Sequence, residues 1–274
     1  MQSLRHQALQ ILLECNANAK AARTAALDLQ GPLDTHAVLT EPPGIPGRPA
    51  RPELFAKLQF KKKPLTTIEG RAVLLHTLAH IELNAIDLAL DIVWRFAGLP
   101  DAFYRQWLNI AQEEAYHFAL LRDHIRTLGY DYGDFPAHNG LWEMAEKTKH
   151  DLLARLALVP RTLEARGLDA SPPVKAKLVS AGDLRAGDIL DIILRDEIGH
   201  VAVGNHWYNS LCTHQQLDPI ATYTTLAACY GAPRPRGPFN WEARRAAGFT
   251  ADELTALSAT SDDPIPLAAS HSDT

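Results

Sequence analysis

Two long amphipathic stretches follow one another near the middle of the chain. Apolar positions recur at spacings of three and four along residues 67–96 and again along residues 101–128, which predicts two helices. Gly98 is expected to end the first helix, and Pro100 is expected to precede the start of the second. Each apolar face carries a glutamate near its middle, Glu82 in the first helix and Glu114 in the second. A carboxylate on such a face is costly unless it is paired or binds a metal, so both residues are candidates for chemistry.

The next part of the chain repeats this arrangement. A third helix is predicted from about residue 141 to 166, with Glu164 near its end and Pro160 inside it, where a missing backbone N–H bends a helix. Residues 167–173 are expected to break this helix before it restarts. A fourth helix is predicted over about residues 184–211. The glycines in it, Gly199 and Gly204, permit close approach of another helix or leave room for a small ligand.

The residues before and after these four helices predict further segments around a helical core. Residues 4–29 read as one helix, residues 31–66 as a proline-rich extended arm, and residues 219–230 and 251–257 as shorter helices. The Ser- and Asp-rich tail is expected to be disordered, and no strand pattern is found. The prediction is an all-α chain with three parts: residues 1–66 packed on the bundle, a four-helix bundle over 67–214, and a C-terminal helical extension over 215–274.

Six residues of the four long helices share one spacing pattern. Glu-x-x-His occurs at Glu114 and again at Glu197, and an isolated glutamate lies 32 or 33 residues before each copy. At 1.5 Å rise per residue, each isolated glutamate reaches the same height as the following Glu-x-x-His on an antiparallel neighbour. The pattern predicts a dinuclear metal site with the ligands Glu82, Glu114, His117, Glu164, Glu197 and His200. The competing interpretation is a bundle with incidental buried salt bridges.

The ligand types indicate the metal. Carboxylate oxygens with one imidazole per metal suit iron, with manganese or a mixed iron–manganese pair as the alternative, better than a thiolate-preferring ion. Asp196 and Glu113 each precede a predicted ligand glutamate directly, where an acid can hydrogen-bond a ligand imidazole, either on its own helix or across the bundle, and fix its tautomer. His124 lies two turns beyond His117 and either lines a channel or is a core histidine bonded to backbone.

Charge and composition limit the binding partners and the cellular location that we expect. A net charge of −5 argues against general binding of nucleic acid or anionic membranes, and no uninterrupted apolar run reaches the roughly 18 residues of a membrane span. The three cysteines form no Cys-x-x-Cys pair. Neither a disulfide framework nor a thiolate zinc site is indicated, and a reducing cytoplasm is the expected location.

Several segments together resemble a known superfamily. The sequence is similar to ferritin-like proteins, and within them to a bacterial family known only as a domain of unknown function. The segments that carry the resemblance are HTLAHIELNAID (76–87), EEAYH (113–117), DFPAH (134–138), LEARGLD (163–169) and RDEIGH (195–200). The resemblance implies a ferritin-like bundle with a dinuclear metal centre over roughly residues 65–250, without implying a reaction. The helix-hairpin pattern is more distantly similar to di-iron tRNA hydroxylases.

The expected function follows from a di-iron site inside a bundle with added segments. Those segments could cover the site and form a cavity, so we expect O2 activation for oxidation of an unknown small organic substrate. Iron oxidation or storage is the first alternative, and a metal-dependent bundle without enzymatic activity is the second. The expected partners are therefore O2 and a small molecule, and a homodimer is left open.

Overall fold

The computed structural model describes residues 2–55 and 63–259, and the chain is predominantly helical, as the sequence predicts. One π-helical turn, Val159–Glu164, interrupts the series of α-helices. The helices are α1 (Leu4–Leu12), α2 (Ala17–Ala25), α3 (Ile68–Arg95), α4 (Asp101–Thr127), α5 (Gly140–Lys147), α6 (Leu152–Leu158), α7 (Ala165–Ser180), α8 (Leu184–His214), α9 (Pro219–Cys229), α10 (Trp241–Ala246) and α11 (Ala251–Ala259).

The chain forms two compact units. The first comprises residues 1–152 and 173–196, and the second comprises residues 153–172 and 197–274. Helices α7 and α8 each contribute residues to both units, because the divisions at residues 172 and 196 fall inside them.

The hairpin of α3 and α4 is the centre of the first unit. Thr67 caps α3 by accepting a hydrogen bond from the Gly70 amide, and Gly98, with a φ of 77°, makes the turn before α4 begins. The short connection makes the two helices antiparallel neighbours that pack along their length. Both helices lie where the sequence predicts them.

Helix α3 is long and apolar enough to cross a membrane by length and composition alone, which a search for uninterrupted apolar runs does not detect. However, 72% of its most apolar 18-residue window is buried within the fold. Such burial is typical of the core helix of a globular protein.

The N-terminal segment packs on this hairpin, but it is not the single helix predicted for residues 4–29. Asn16 caps a new helix by accepting hydrogen bonds from the amides of Asn18 and Ala19, so α1 and α2 are separate. The proline-rich arm is anchored by buried cations of these two helices. Arg5 donates to the Ala37 carbonyl over 2.6 Å, and Lys20 donates to another carbonyl of the arm. The arm's residues 56–62 lie outside the described residues.

The expectation of no strands is wrong in one small detail. Two short strands, β1 (Leu54–Phe55) and β2 (Ala137–His138), pair in parallel and join the arm to the segment after α4. A pair of two residues each is too short to give an alternating pattern in the sequence.

In the second unit, α6 continues through the π-helical turn into α7 without the break predicted at residues 167–173. Tertiary contacts override the local signal of Gly167 and the prolines. Leu168 is fully buried, and the carboxylate of Asp169 accepts two hydrogen bonds from Arg244, over 3.0 and 2.6 Å. These contacts hold the segment in a helical conformation.

The C-terminal part of the second unit has its own small core of Phe239, Trp241 and Leu254. Helix α10 within it was not predicted, because it contains only six residues and its cap, Asn240, follows a glycine- and proline-rich segment. The predicted helices after residue 219 are present as α9 and α11. The prediction of a disordered tail falls on residues 260–274, outside the described residues.

Candidate metal centre

Helices α3 and α4 bring three of the predicted ligands together in the core of the first unit. Glu82, Glu114 and His117 are all buried. Nδ1 of His117 lies 3.2 Å from Oε2 of Glu82 and 3.5 Å from Oε2 of Glu114. The contact with Glu114 follows from the spacing of three residues on one helix, and the contact with Glu82 follows from the matching heights of α3 and α4.

The other ring nitrogen of His117 faces helix α8. Nε2 of His117 lies 3.1 Å from Oδ2 of Asp196, so the contact predicted between this acid and a ligand imidazole is present, and it comes from another helix. Arg195 donates two hydrogen bonds to the same carboxylate, over 2.8 and 3.0 Å. Burial opposes ionisation of Asp196, but hydrogen bonds from Arg195 and His117 outweigh it and hold the pKa of Asp196 below its usual value.

Glu197, the residue after Asp196 on α8, completes a cluster of four residues. One ligand atom from each of Glu82, Glu114, His117 and Glu197 can be chosen so that all lie within 4.8 Å of one another, and all four residues are buried. Carboxylate oxygens and an imidazole nitrogen that converge in this way can bind a metal ion. The cluster contains four of the six predicted ligands.

The protonation state of His117 follows from its partners. Burial alone would lower its pKa, but hydrogen bonds to Glu114 and Glu82 and the charges of those residues raise the pKa of His117 from 6.5 to about 11. Ionised carboxylates only accept hydrogen bonds, so both ring nitrogens act as donors, Nε2 to Asp196 and Nδ1 to the glutamates. Without a metal, a proton on Nδ1 occupies the position that faces the carboxylates.

The remaining two predicted ligands lie in the second unit. His200 is buried one turn beyond Glu197, and its Nδ1 lies 3.7 Å from Oε1 of that residue. Glu164 is the last residue of the π-helical turn and is partly buried. Their part in metal binding stays a prediction.

The π-helical turn determines where Glu164 is placed. Pro160 has no N–H to continue the α-helical pattern, and the Thr162 hydroxyl donates to the Ala157 carbonyl over 2.9 Å, five residues back. A Cβ added to Gly204 of α8 would meet Cβ of Pro160 at 2.5 Å, so this glycine permits the close approach expected of it. Gly199 differs, since a Cβ there would meet nothing within 4 Å.

Two further predicted residues have contacts of another kind. Glu113 accepts a hydrogen bond from the Asn109 side chain one turn earlier on α4, over 3.0 Å. Nε2 of His124 lies 2.8 Å from Oδ1 of Asp183, the residue that caps α8 through the Ala186 amide. His124 therefore connects α4 to the start of α8 through a carboxylate, which neither interpretation from the sequence included.

Helix α3 also carries two buried histidines, His76 and His80, with scaffolding contacts. Nδ1 of His80 is 2.8 Å from the Tyr132 hydroxyl, and its Nε2 is 3.0 Å from the His138 carbonyl. Burial lowers the pKa of His80 to about 4 and that of His76 to about 4, so both are neutral near pH 7. Nε2 of His76 accepts a hydrogen bond from the Gly133 amide over 2.9 Å.

Comparison with known proteins gives a family and a relative without a stated activity. A family model described as "Protein of unknown function (DUF455)" matches residues 11–255. An "Uncharacterized protein" of Haemophilus influenzae is 50% identical over 213 residues, which cover 75% of this chain and 74% of the relative. No solved structure matches the chain.

Proposed function

The chain belongs to the family described as Protein of unknown function (DUF455), and we propose that it is a ferritin-like protein with a dinuclear metal centre that activates O2. The reaction class is oxidation or hydroxylation of a small organic substrate. The observation that carries this proposal is the buried convergence of Glu82, Glu114, His117 and Glu197. Three carboxylates and an imidazole form a donor set that suits iron, with manganese or a mixed pair as the alternative.

The proposed ligand set contains two similar halves. Glu82 with the Glu-x-x-His of α4 would hold one metal, and Glu164 with the Glu-x-x-His of α8 would hold the other, with carboxylates shared between them. The pair of Glu197 and His200, with atoms 3.7 Å apart, matches the pair of Glu114 and His117 at 3.5 Å. This repetition supports two metals rather than one.

His117 is oriented for its role by Asp196. When Nε2–H donates to the Asp196 carboxylate, Nδ1 is left to face Glu82 and Glu114 and is the ligand atom. The two donors from Arg195 hold the Asp196 carboxylate in place. A bound di-iron centre would supply O2 activation, while the buried side chains keep bulk water away from the ligands.

Iron in the reduced form would suit a reducing compartment. Cys15, Cys212 and Cys229 are all free thiols, as expected for a protein in a reducing cytoplasm. The cytoplasmic location is part of the proposal.

The test is O2 consumption by protein loaded anaerobically with Fe(II). We expect O2 uptake that is lost in Glu114→Gln and retained in Glu143→Gln, which removes an exposed carboxylate of α5 as a matched control. Uptake that continues in proportion to added iron and produces a ferric mineral would replace this proposal with iron storage. Equal uptake by the wild type and Glu114→Gln would contradict a role for the cluster.

A further inference from the structure

A cavity of about 730 Å³ lies within the second unit, away from any role assigned so far. Its walls come from the π-helical turn, α9, the segment after α9, α10 and α11. The apolar part of the lining includes Ile220, Ala227, Phe249 and Leu257. A cavity of this size with apolar walls and a few polar groups is typical of small-molecule sites.

One polar group of the lining is a buried arginine. Arg161 is only 6% exposed, and its Nη2 donates to Oε1 of Glu253 over 2.7 Å. Its Nε and Nη1 have no hydrogen-bond partner among the described residues. The guanidinium is stacked 4.4 Å from the ring centroid of Tyr208 and 5.1 Å from that of Phe249. Aromatic contacts fix its plane but do not satisfy its donors, so Arg161 retains capacity to bind an anion.

The charges that line the cavity are mostly positive. Arg161, Arg234 and Arg244 line it, with Glu253 as the acidic member of the lining. Arg244 is held by both oxygens of Asp169, which fixes its position. Arg234 lies in the exposed segment after α9 and can adjust to a ligand.

We propose that this cavity binds a small organic carboxylate with an apolar body. The carboxylate would accept hydrogen bonds from the arginines, because a hydrogen bond between two charged groups is stronger than one between neutral groups. The apolar body would lie against α9, Phe249 and α11. The proposal does not rest on the metal centre, since none of the six proposed metal ligands lines this cavity.

The test is calorimetric titration of the full chain, with and without a metal chelator, using octanoate and 3-phenylpropionate. The alcohols 1-octanol and 3-phenyl-1-propanol have similar apolar bodies without the charge. Arg234→Gln removes one cavity arginine, and Arg236→Gln is the matched control, because Arg236 is exposed on the same segment but does not line the cavity. The double variant Arg161→Gln/Glu253→Gln removes the buried pair together, so that neither charge is left alone.

We expect at least one carboxylate to bind about tenfold or more tightly than its alcohol, which corresponds to one charge-assisted hydrogen bond. Arg234→Gln should weaken carboxylate binding severalfold, Arg236→Gln should leave it unchanged, and the double variant should lose most of its preference for acid over alcohol, because only Arg234 and Arg244 remain as cations of the lining. Equal binding of acid and alcohol by the wild type, or equal losses in Arg234→Gln and Arg236→Gln, would overturn the proposal. Binding that appears only after removal of residues 260–274 would show that the chain itself fills the cavity, and would also overturn it.

Discussion

His117 uses its two ring nitrogens for different purposes. Nε2 contacts Asp196, while Nδ1 faces Glu82 and Glu114. The sequence was sufficient to select Glu82, Glu114 and His117, because the repeated Glu-x-x-His and the isolated glutamates occupy apolar helix faces. It selected Asp196 because this acid directly precedes Glu197. It left open whether Asp196 contacts an imidazole on its own helix or one across the bundle, since that choice depends on the distance between helices.

The contact between Asp196 and His117 predicts an effect on metal affinity. Asp196→Asn keeps the shape of the side chain but removes the charge that orients and polarises the imidazole, and we expect a loss of about 10- to 100-fold in metal affinity. Asp188→Asn is the control, because Asp188 is an exposed acid on the same helix. Competition with a chelator of known affinity measures both. Equal affinities for the two variants would remove Asp196 from the account.

The raised pKa of His117 predicts that metal binding releases a proton. In metal-free protein a pKa of about 11 keeps the imidazole charged throughout the neutral range, so a metal must displace the proton from Nδ1. Lower pH therefore weakens binding, and affinity should rise about tenfold for each pH unit between 6 and 8. Calorimetry in buffers with different ionisation enthalpies measures the released proton directly. Affinity that is constant across this range would contradict the assignment of Nδ1 as the ligand atom.

At the scale of elements, the π-helical turn is the feature that the sequence indicated least completely. Pro160 marked a bend, but a π-helical turn depends on which carbonyls find donors, here Ala157 with the Thr162 hydroxyl. The helix break expected at residues 167–173 failed for a related reason. Local glycine and proline signals favoured a break, whereas burial of Leu168 and the ion pair of Asp169 favour a helix.

The contact between Pro160 and Gly204 predicts a difference between two glycines of α8. Gly204→Ala would place a methyl group 2.5 Å from Cβ of Pro160, and we expect a loss of about 1–3 kcal/mol in the free energy of unfolding. Gly199→Ala has open space and should be neutral or stabilising by up to about 1 kcal/mol, because alanine favours the helix. Denaturant unfolding measures both. Equal effects of the two substitutions would contradict the packing of the π-helical turn on α8.

At the scale of the whole molecule, the N-terminal segment is an integral part of the first unit. Lys20 of α2 and Asp87 of α3 form an ion pair of 2.5 Å in which both side chains are almost fully buried. Composition and periodicity predicted helices and an arm, but not this pair. Only the folded chain shows that the buried acids Asp87 and Asp91 have cationic partners, Lys20 and Arg95.

The buried pair predicts that removal of one charge is costly. Lys20→Met leaves the Asp87 carboxylate buried without its cation, and we expect a loss of about 3–5 kcal/mol in stability. Arg23 lies three residues after Lys20 on the same helix and forms an exposed ion pair with Glu14. Arg23→Met breaks that pair and should change stability by about 1 kcal/mol or less. Thermal unfolding monitored by circular dichroism compares the variants. A small effect of Lys20→Met would show that the N-terminal segment contributes little to the unit.

The central claim, a dinuclear metal centre, is tested most directly by counting metals. The full chain should be purified without a metal-affinity column and its metal content measured by mass spectrometry, beside the double variant Glu82→Gln/Glu114→Gln. We predict about two ions of iron or manganese per chain in the wild type and a large loss in the double variant. A wild-type protein whose metal content equals that of the double variant, even after anaerobic incubation with Fe(II), would contradict the account.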